Sequence, residues 1–98
     1  MSKTKTKYPN SVQKYRERLG FTQEQLALIV GCKNGRRVRR LESGWVMPGS
    51  VMMLRLAAAL RVSVDFLYEE TLNSLREEVR ATEERMPKGT QGVLPLPA

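Results

Sequence analysis

The residues best suited to bind another molecule are arginines crowded around Val38 and followed by Leu41. They are Arg36, Arg37, Arg39 and Arg40. The guanidinium group pairs well with phosphate, and its two parallel N–H bonds match O6 and N7 of guanine. A helix that buries Val38 and Leu41 would turn these groups outward. This short stretch therefore predicts a helix that lies against DNA.

A helical rotation of about 100° per residue divides the arginines by direction. With the angle around the helix axis measured from Val38, the side opposite the apolar edge lies at about 150°. Arg36 then lies at about 160°, Arg40 at about 200° and Arg39 at about 100°. We expect these three to read bases in the groove and Arg37, at about 260°, to lie on the flank against phosphate. The alternative, that all four contact phosphates or are simply solvated, stays open.

The elements that position the arginines are short helices. Ser11 is placed to cap the first, and Thr22 to cap the second, where Gln25 three residues later completes a capping box. Asn34 is placed to cap a third helix that runs to about Glu42. Asn34 could instead read adenine, since its amide matches the edge of that base.

Two further helices and a longer one follow. Ser50 is placed to cap a helix over residues 51–60, which is apolar on nearly all sides and is predicted to form the buried centre of the bundle. Ser63 opens a fifth helix, with Phe66 in the core. Apolar residues at alternating spacings of four and three within 69–86 predict an amphipathic helix that packs on the domain or dimerises. The sequence predicts an all-α protein.

Charge is divided unevenly along the 98 residues, whose net charge is +7. Residues 1–63 hold 13 Lys/Arg against 3 Asp/Glu, whereas residues 64–98 hold 4 against 7. A basic front and an acidic rear suggest a polyanionic partner for the first part. The division predicts a flexible basic arm (1–10), a DNA-binding domain (11–68), a possibly dimerising helix (69–86) and a flexible tail (87–98).

Other classes of function have little support in the composition. The chain lacks histidine, and its one cysteine, Cys32, has no nearby candidate ligands, so we expect no metal site, no cofactor and no enzyme. A single cysteine also suits a reducing compartment. No apolar run approaches the roughly 20 residues that span a bilayer. We expect a soluble cytoplasmic protein.

A joint pattern spread over residues 11–68 resembles the phage-repressor (Xre-type, lambda-repressor-like) helix-turn-helix family. The residues that carry it are Arg16, Gly20-Phe21-Thr22-Gln23, Leu26-Ala27, Gly31, Val38, Leu41-Glu42, Gly44 and Pro48. The resemblance implies a five-helix bundle that binds double-stranded DNA, to which this chain adds a C-terminal amphipathic helix.

The resemblance also implies roles for individual residues. Arg16 and Glu42 would form a structural salt bridge between the first helix and the end of the third. For Trp45, packing within the domain and contact with a DNA phosphate are equally good interpretations. Together with charge and position, the resemblance indicates the following residues at DNA phosphates: Gln23, Lys33, Arg37, Gly44, Trp45 and Ser50.

One departure from the family lies in the turn before the third helix. Six residues separate Gly31 from Val38, one more than is usual in the family. Val38, Leu41 and Glu42 keep their mutual spacing. The roles that the family implies therefore apply to residues 36–40 and are less well supported for residues 32–35.

The function expected from these features is a sequence-specific transcriptional regulator. We expect a repressor that binds an operator as a homodimer through the helix from about Asn34 to Glu42. The alternative is an antitoxin-like module that captures a protein partner through its C-terminal helix and tail.

Overall fold

Six α-helices make up the secondary structure of residues 6–86, the part of the chain that the computed structural model describes. They are α1 (Val12–Arg18), α2 (Gln23–Ile29), α3 (Arg36–Ser43), α4 (Ser50–Leu60), α5 (Val64–Leu67) and α6 (Glu69–Glu84). The predicted all-α class is confirmed. The predicted tail and the first five residues of the predicted arm lie outside the described residues. None of the six helices is long and apolar enough to cross a membrane.

A single apolar core holds the first five helices together. α2 packs on α3, and α1 packs on both α3 and α4. The side chains at the centre are fully or almost fully removed from solvent. They are Val12, Leu26, Ala27, Val30, Val38, Leu41, Leu56, Leu60, Leu67 and Tyr68. Burial of these aliphatic groups is the main source of stability for such short helices, which are marginal alone in water.

Of the helix caps predicted at Ser11, Thr22 and Ser50, one is right and two are wrong. The Thr22 hydroxyl accepts the Gln25 N–H at 3.0 Å, and the Gln25 side chain accepts the Thr22 N–H at 2.9 Å, which is the capping box. Ser11 makes no side-chain cap. The side chain of Asn10 accepts the N–H of the first residue of α1 instead, at 3.1 Å. Ser50 is itself the first residue of α4 and caps nothing.

The turn between α2 and α3 is fixed from outside at both ends. Gly31 has φ +90°, and a Cβ there would lie 3.0 Å from a guanidinium nitrogen of Arg55. That guanidinium donates to the Val30 carbonyl at 3.2 Å. At the other end Gly35 is buried, and a Cβ on it would lie 3.0 Å from the Glu24 carboxylate and 3.1 Å from the Glu24 backbone nitrogen. α3 therefore begins in tight contact with the start of α2.

The last residues of the predicted arm lie against the end of α3. The Tyr8 N–H donates to the Gly44 carbonyl at 2.7 Å. The Asn10 amide donates to the Leu41 carbonyl at 2.9 Å. These bonds satisfy carbonyls at a helix end, which need partners from outside the helix. Residues 6–10 are therefore part of the folded domain, which corrects the predicted boundary.

α4 is not buried on all sides, contrary to the prediction. Leu56 and Leu60 are in the core, but Val51 and Leu54 on the other side are more than half exposed. Phe66 of α5, also predicted to be in the core, is 56% exposed. The other helices are short and cover α4 on one side only. The apolar residues on the opposite side of α4 therefore stay exposed.

α6 projects from the bundle. The residue before it, Tyr68, is buried in the core, and Leu72 one turn later is half-buried. No residue of α6 itself is buried. Leu75 and Val79 are about half exposed, so the predicted apolar seam is present and largely uncovered by residues 6–86.

Candidate nucleic-acid interface

α3 presents arginines to solvent from a firmly seated backbone. Val38 and Leu41 are buried, as the three-residue spacing predicts. Arg36, Arg37, Arg39 and Arg40 are all exposed. Four guanidinium groups on fewer than two turns of helix concentrate positive charge on one side of the domain, which attracts a polyanion.

Three of these arginines line one open depression of about 400 Å³ beside α3. It is lined by the polar or charged side chains of Asn34, Arg36, Arg37 and Arg40 and by the apolar side chains of Leu41, Val46 and Met47. We call this depression the arginine cleft. Arg37, predicted to be on the flank, belongs to it because the chain after α3 passes along that flank. Arg39 lies outside the cleft.

Asn34 lies just before α3 and stabilises the first turn of this helix. Its side-chain oxygen accepts the Arg36 N–H at 3.0 Å, which satisfies a backbone donor of the first turn. Gly35 lies between the two as the last non-helical residue. The side-chain amide nitrogen of Asn34 remains the atom that could meet a base. The neighbouring Lys33 is exposed in the turn.

Gln23 opens α2 and is held in place by an acidic residue of α3. Its amide donates to a Glu42 carboxylate oxygen at 2.9 Å. The residue is half-buried, and its backbone lies beside Gly35 at the start of α3. One N–H of the same amide group is left over for another acceptor, since a primary amide has two.

Arg16 and Glu42 form the ion pair that joins α1 to the end of α3. Arg16 Nε donates to Glu42 Oε2 at 2.5 Å, and Nη2 donates to Oε1 at 3.2 Å. Arg16 Nη1 also donates to the Phe21 carbonyl at 2.8 Å. Hydrogen bonding to Glu42 raises the pKa of the Arg16 guanidinium above its ordinary value. Both groups are occupied within the protein, so the pair acts on the fold.

The three residues predicted to bind phosphate beyond α3 are placed very differently. Gly44 is buried, its N–H donates to Leu41 and its carbonyl accepts from Tyr8. Both backbone groups of Gly44 thus have partners within the domain, and its contact with a phosphate stays a prediction. Trp45 is 52% exposed rather than packed in the core. Ser50 is exposed in the first turn of α4, where backbone N–H groups lack helical partners.

Two apolar residues of the cleft were missed by reasoning from sequence. Val46 is half-buried and Met47 is 40% exposed, and both lie beside Arg37 and Arg40. Their position depends on the path of the chain between α3 and α4. Periodicity carries no information about such a path, and only their apolar type within a loop could have drawn attention to them.

Comparison with known proteins identifies a family for the helical bundle. A protein-family model described as helix-turn-helix matches residues 12–67, which is more than half of the chain. The match begins at the first residue of α1 and ends at the last residue of α5, so α6 lies beyond it. No curated protein and no solved structure matches the chain.

Proposed function

Because the chain belongs to the helix-turn-helix family of DNA-binding transcription regulators, we propose that it is a sequence-specific repressor that occupies an operator as a homodimer. The observation that carries the proposal is the arginine cleft. It brings Arg36, Arg37 and Arg40 together on one exposed side of α3. A helix of this width fits the major groove of B-form DNA, where base edges are distinguishable.

Base readout is assigned to the middle of the exposed side of α3. Arg36 and Arg40 stand one helical turn apart, opposite the buried Val38 and Leu41. Each can donate two bonds to a guanine, and a good pair of this kind is worth about 1–3 kcal/mol of discrimination. Arg39 is the third candidate. Asn34 contributes through its amide nitrogen at most, since its oxygen already caps α3.

Contacts with the DNA backbone would surround this reading surface. Gln23 has an N–H to spare at the start of α2, and Lys33 and Arg37 add exposed positive charge. The N-terminus of α4 at Ser50 supplies free backbone N–H groups, and the exposed Trp45 lies in the preceding loop. Such contacts fix the orientation of the protein without reading sequence.

The size of the domain and the exposed seam of α6 support the proposed homodimer. One copy of this domain reaches one half-site, and a two-fold dimer reads two. The exposed seam of α6, centred on Leu75 and Val79, offers an apolar surface to a second copy. A dimer bound across a promoter blocks it without any catalysis, which is why we propose repression.

The proposal is tested by titrating duplex DNA at two salt concentrations, after selecting bound duplexes from a random pool. A palindromic consensus and a steep fall of affinity with salt are expected. Charge reversal in Arg36→Glu and Arg40→Glu should abolish binding. The matched control, Arg80→Glu on α6, makes the same change of charge away from α3 and should bind nearly as wild type. Unaltered binding by the folded α3 variants would overturn the proposal.

A further inference from the structure

We propose that Met47 takes part in sequence recognition by contacting the C5-methyl group of a thymine. This thymine would lie in the major groove beside the guanine that Arg40 reads. The inference deepens the function proposed above, on which it rests, because it adds a second type of base and a residue outside α3. It also gives a role to the apolar lining of the arginine cleft.

Met47 is an exposed apolar side chain among positive charges. It lies in the loop between α3 and α4 and lines the arginine cleft together with Arg37 and Arg40. Its neighbour Val46 packs against the core, whereas Met47 is 40% exposed. The exposed part of this side chain gains free energy when an apolar group removes it from water. Met47 is therefore available to an apolar group of a ligand that enters the cleft.

The composition of the cleft fits a base edge better than a phosphate. A phosphate group would satisfy the guanidinium groups but would leave the apolar side chains of Val46 and Met47 without a matching group. The edge of a base pair in the major groove can offer both kinds of group. Among the four bases, thymine carries an apolar group there, its C5-methyl. The mixed lining of the cleft therefore favours contact with thymine.

The polar lining of the cleft favours thymine for a second reason. The guanidinium groups of Arg36, Arg37 and Arg40 can only donate hydrogen bonds. The side-chain oxygen of Asn34 already accepts the Arg36 N–H. Donors match O4 of thymine, whereas N4 of cytosine is itself a donor. Methylation of cytosine at C5 adds the same apolar group but keeps this donor, so we expect 5-methylcytosine to fit less well than thymine.

The shared cleft also predicts where the thymine lies in the operator. Arg40 and Met47 line the cleft together, so the bases that they contact must be close to each other in the groove. Guanine presents O6 and N7 to the guanidinium, and the flexible methionine side chain can adapt to the base beside it. We therefore expect selected duplexes to carry thymine next to the guanine whose preference Arg40→Ala relaxes.

Replacement of this thymine by deoxyuridine tests the contact, because it removes the methyl group and nothing else. The full-length protein is titrated by fluorescence anisotropy with selected duplexes that carry deoxyuridine at one position at a time. At the position beside the Arg40 guanine, affinity should fall about fourfold, the effect of one methyl group that is no longer buried. Equal affinity for both duplexes, or a selected consensus without thymine at this position, would overturn the proposal.

Variants of Met47 show whether this residue makes the contact. Met47→Gln keeps the length of the side chain but makes it polar, so it should bind the thymine and deoxyuridine duplexes equally. Met47→Leu stays apolar and should keep a difference between them. Leu54→Ala is the control, because Leu54 is 65% exposed and apolar but does not line the cleft, and it should retain the fourfold difference. Persistence of that difference in folded Met47→Gln would assign the contact to another residue and overturn the proposal.

A duplex with 5-methylcytosine paired to guanine at the same position separates the two possible sources of the methyl group. It should bind more weakly than the thymine duplex, and the reverse order would overturn the assignment to thymine. Salt-dependent binding that needs Arg36 and Arg40 but ignores the methyl group would overturn only this inference. Absence of salt-dependent binding to any duplex would overturn the proposed function as well.

Discussion

The guanidinium of Arg16 and the carboxylate of Glu42 connect the first and third helices through an ion pair that solvent scarcely reaches. The two side chains are 9% and 4% exposed. Because Glu42 also accepts from Gln23, one carboxylate holds side chains from α1 and α2 against the end of α3. This carboxylate therefore contributes to the orientation of the arginine-bearing helix.

Removing the carboxylate should destabilise the fold. Glu42→Ala leaves Arg16 charged and buried without its partner, and breaking a buried pair in this way costs about 3–5 kcal/mol. Chemical denaturation measures the loss. Glu17→Ala is the control, because Glu17 is 60% exposed and lies 3.8 Å from the same guanidinium. It should change the free energy of unfolding by less than about 1 kcal/mol. Equal losses would contradict a special role for Glu42.

Two residues of the arginine cleft, Arg40 and Arg37, should differ in what they contribute to binding. Arg40→Ala should cost about 1–3 kcal/mol on the selected duplex and relax preference at one base position. Arg37→Ala should weaken binding to all duplexes alike and lower the salt slope by about 1. Fluorescence anisotropy on matched and mutated duplexes separates the two outcomes. If Arg40→Ala weakened all duplexes equally, its assignment to base readout would be wrong.

Gly35→Ala should destabilise the domain through steric crowding. Its φ is −75°, so the backbone conformation suits alanine, but the new Cβ would lie 3.0–3.2 Å from Glu24 and Gln23. Overpacking of this kind costs about 1–3 kcal/mol. Gly49→Ala is the matched control, since it also precedes a helix and has nothing within 4 Å of the new Cβ. A similar change in unfolding free energy for both variants would refute the crowding.

Gly44→Ala should cost more than Gly20→Ala, although both residues have positive φ. The values are +85° and +80°, so the conformational cost of about 1–2 kcal/mol is common to both. A Cβ on Gly44 would in addition lie 2.8 Å from the Thr6 side chain, whereas Gly20 has open space. Amide hydrogen exchange at Tyr8 should accelerate in the Gly44 variant only. Unchanged protection at Tyr8 would contradict the packing of this segment on α3.

Tyr68 should make the domain less stable at high pH. Burial raises the pKa of Tyr68 to about 12. The unfolded chain releases this proton near pH 10, while the folded protein retains it. Stability from Tyr68 is therefore intact below pH 10 and declines between pH 10 and 12, by about 3 kcal/mol in all. Comparing unfolding of wild type and Tyr68→Phe across this range isolates the effect, because other titrating groups are common to both.

Tyr68→Phe should also be harmless at neutral pH. The Tyr68 hydroxyl is buried and has no hydrogen-bond partner among residues 6–86. Its removal relieves a desolvated polar group without opening a cavity, so stability should be unchanged or rise by about 1 kcal/mol. A loss of several kcal/mol would show that the hydroxyl has a partner in solution.

Local signals in the sequence were sufficient for much of the fold. The Thr22–Gln25 capping box depends on residues three positions apart, and the structure contains both of its bonds. The spacing of Val38 and Leu41 marked the buried side of α3 for the same reason. Such features are decided within one turn of helix, where the sequence holds all the participants.

Features decided between distant segments could not be predicted in this way. Apolar residues on every side of α4 indicated full burial, but the number of neighbouring helices leaves Leu54 exposed. The cleft includes Arg37 because the chain passes Met47 along that flank. Likewise, the contact of Tyr8 with Gly44 joins residues 36 positions apart, and no pattern near either residue signals it.

The turn before α3 is held at both ends by contacts with other elements. These contacts affect how the chain tolerates a change in the length of this turn. Arg55 holds the end of α2 at Val30, and Gly35 is pressed against Glu24, so both anchor points lie in other elements. Residues between the anchors contribute little to the orientation of α3. A residue added to or removed from the turn between these anchors should therefore leave the direction of the arginines unchanged.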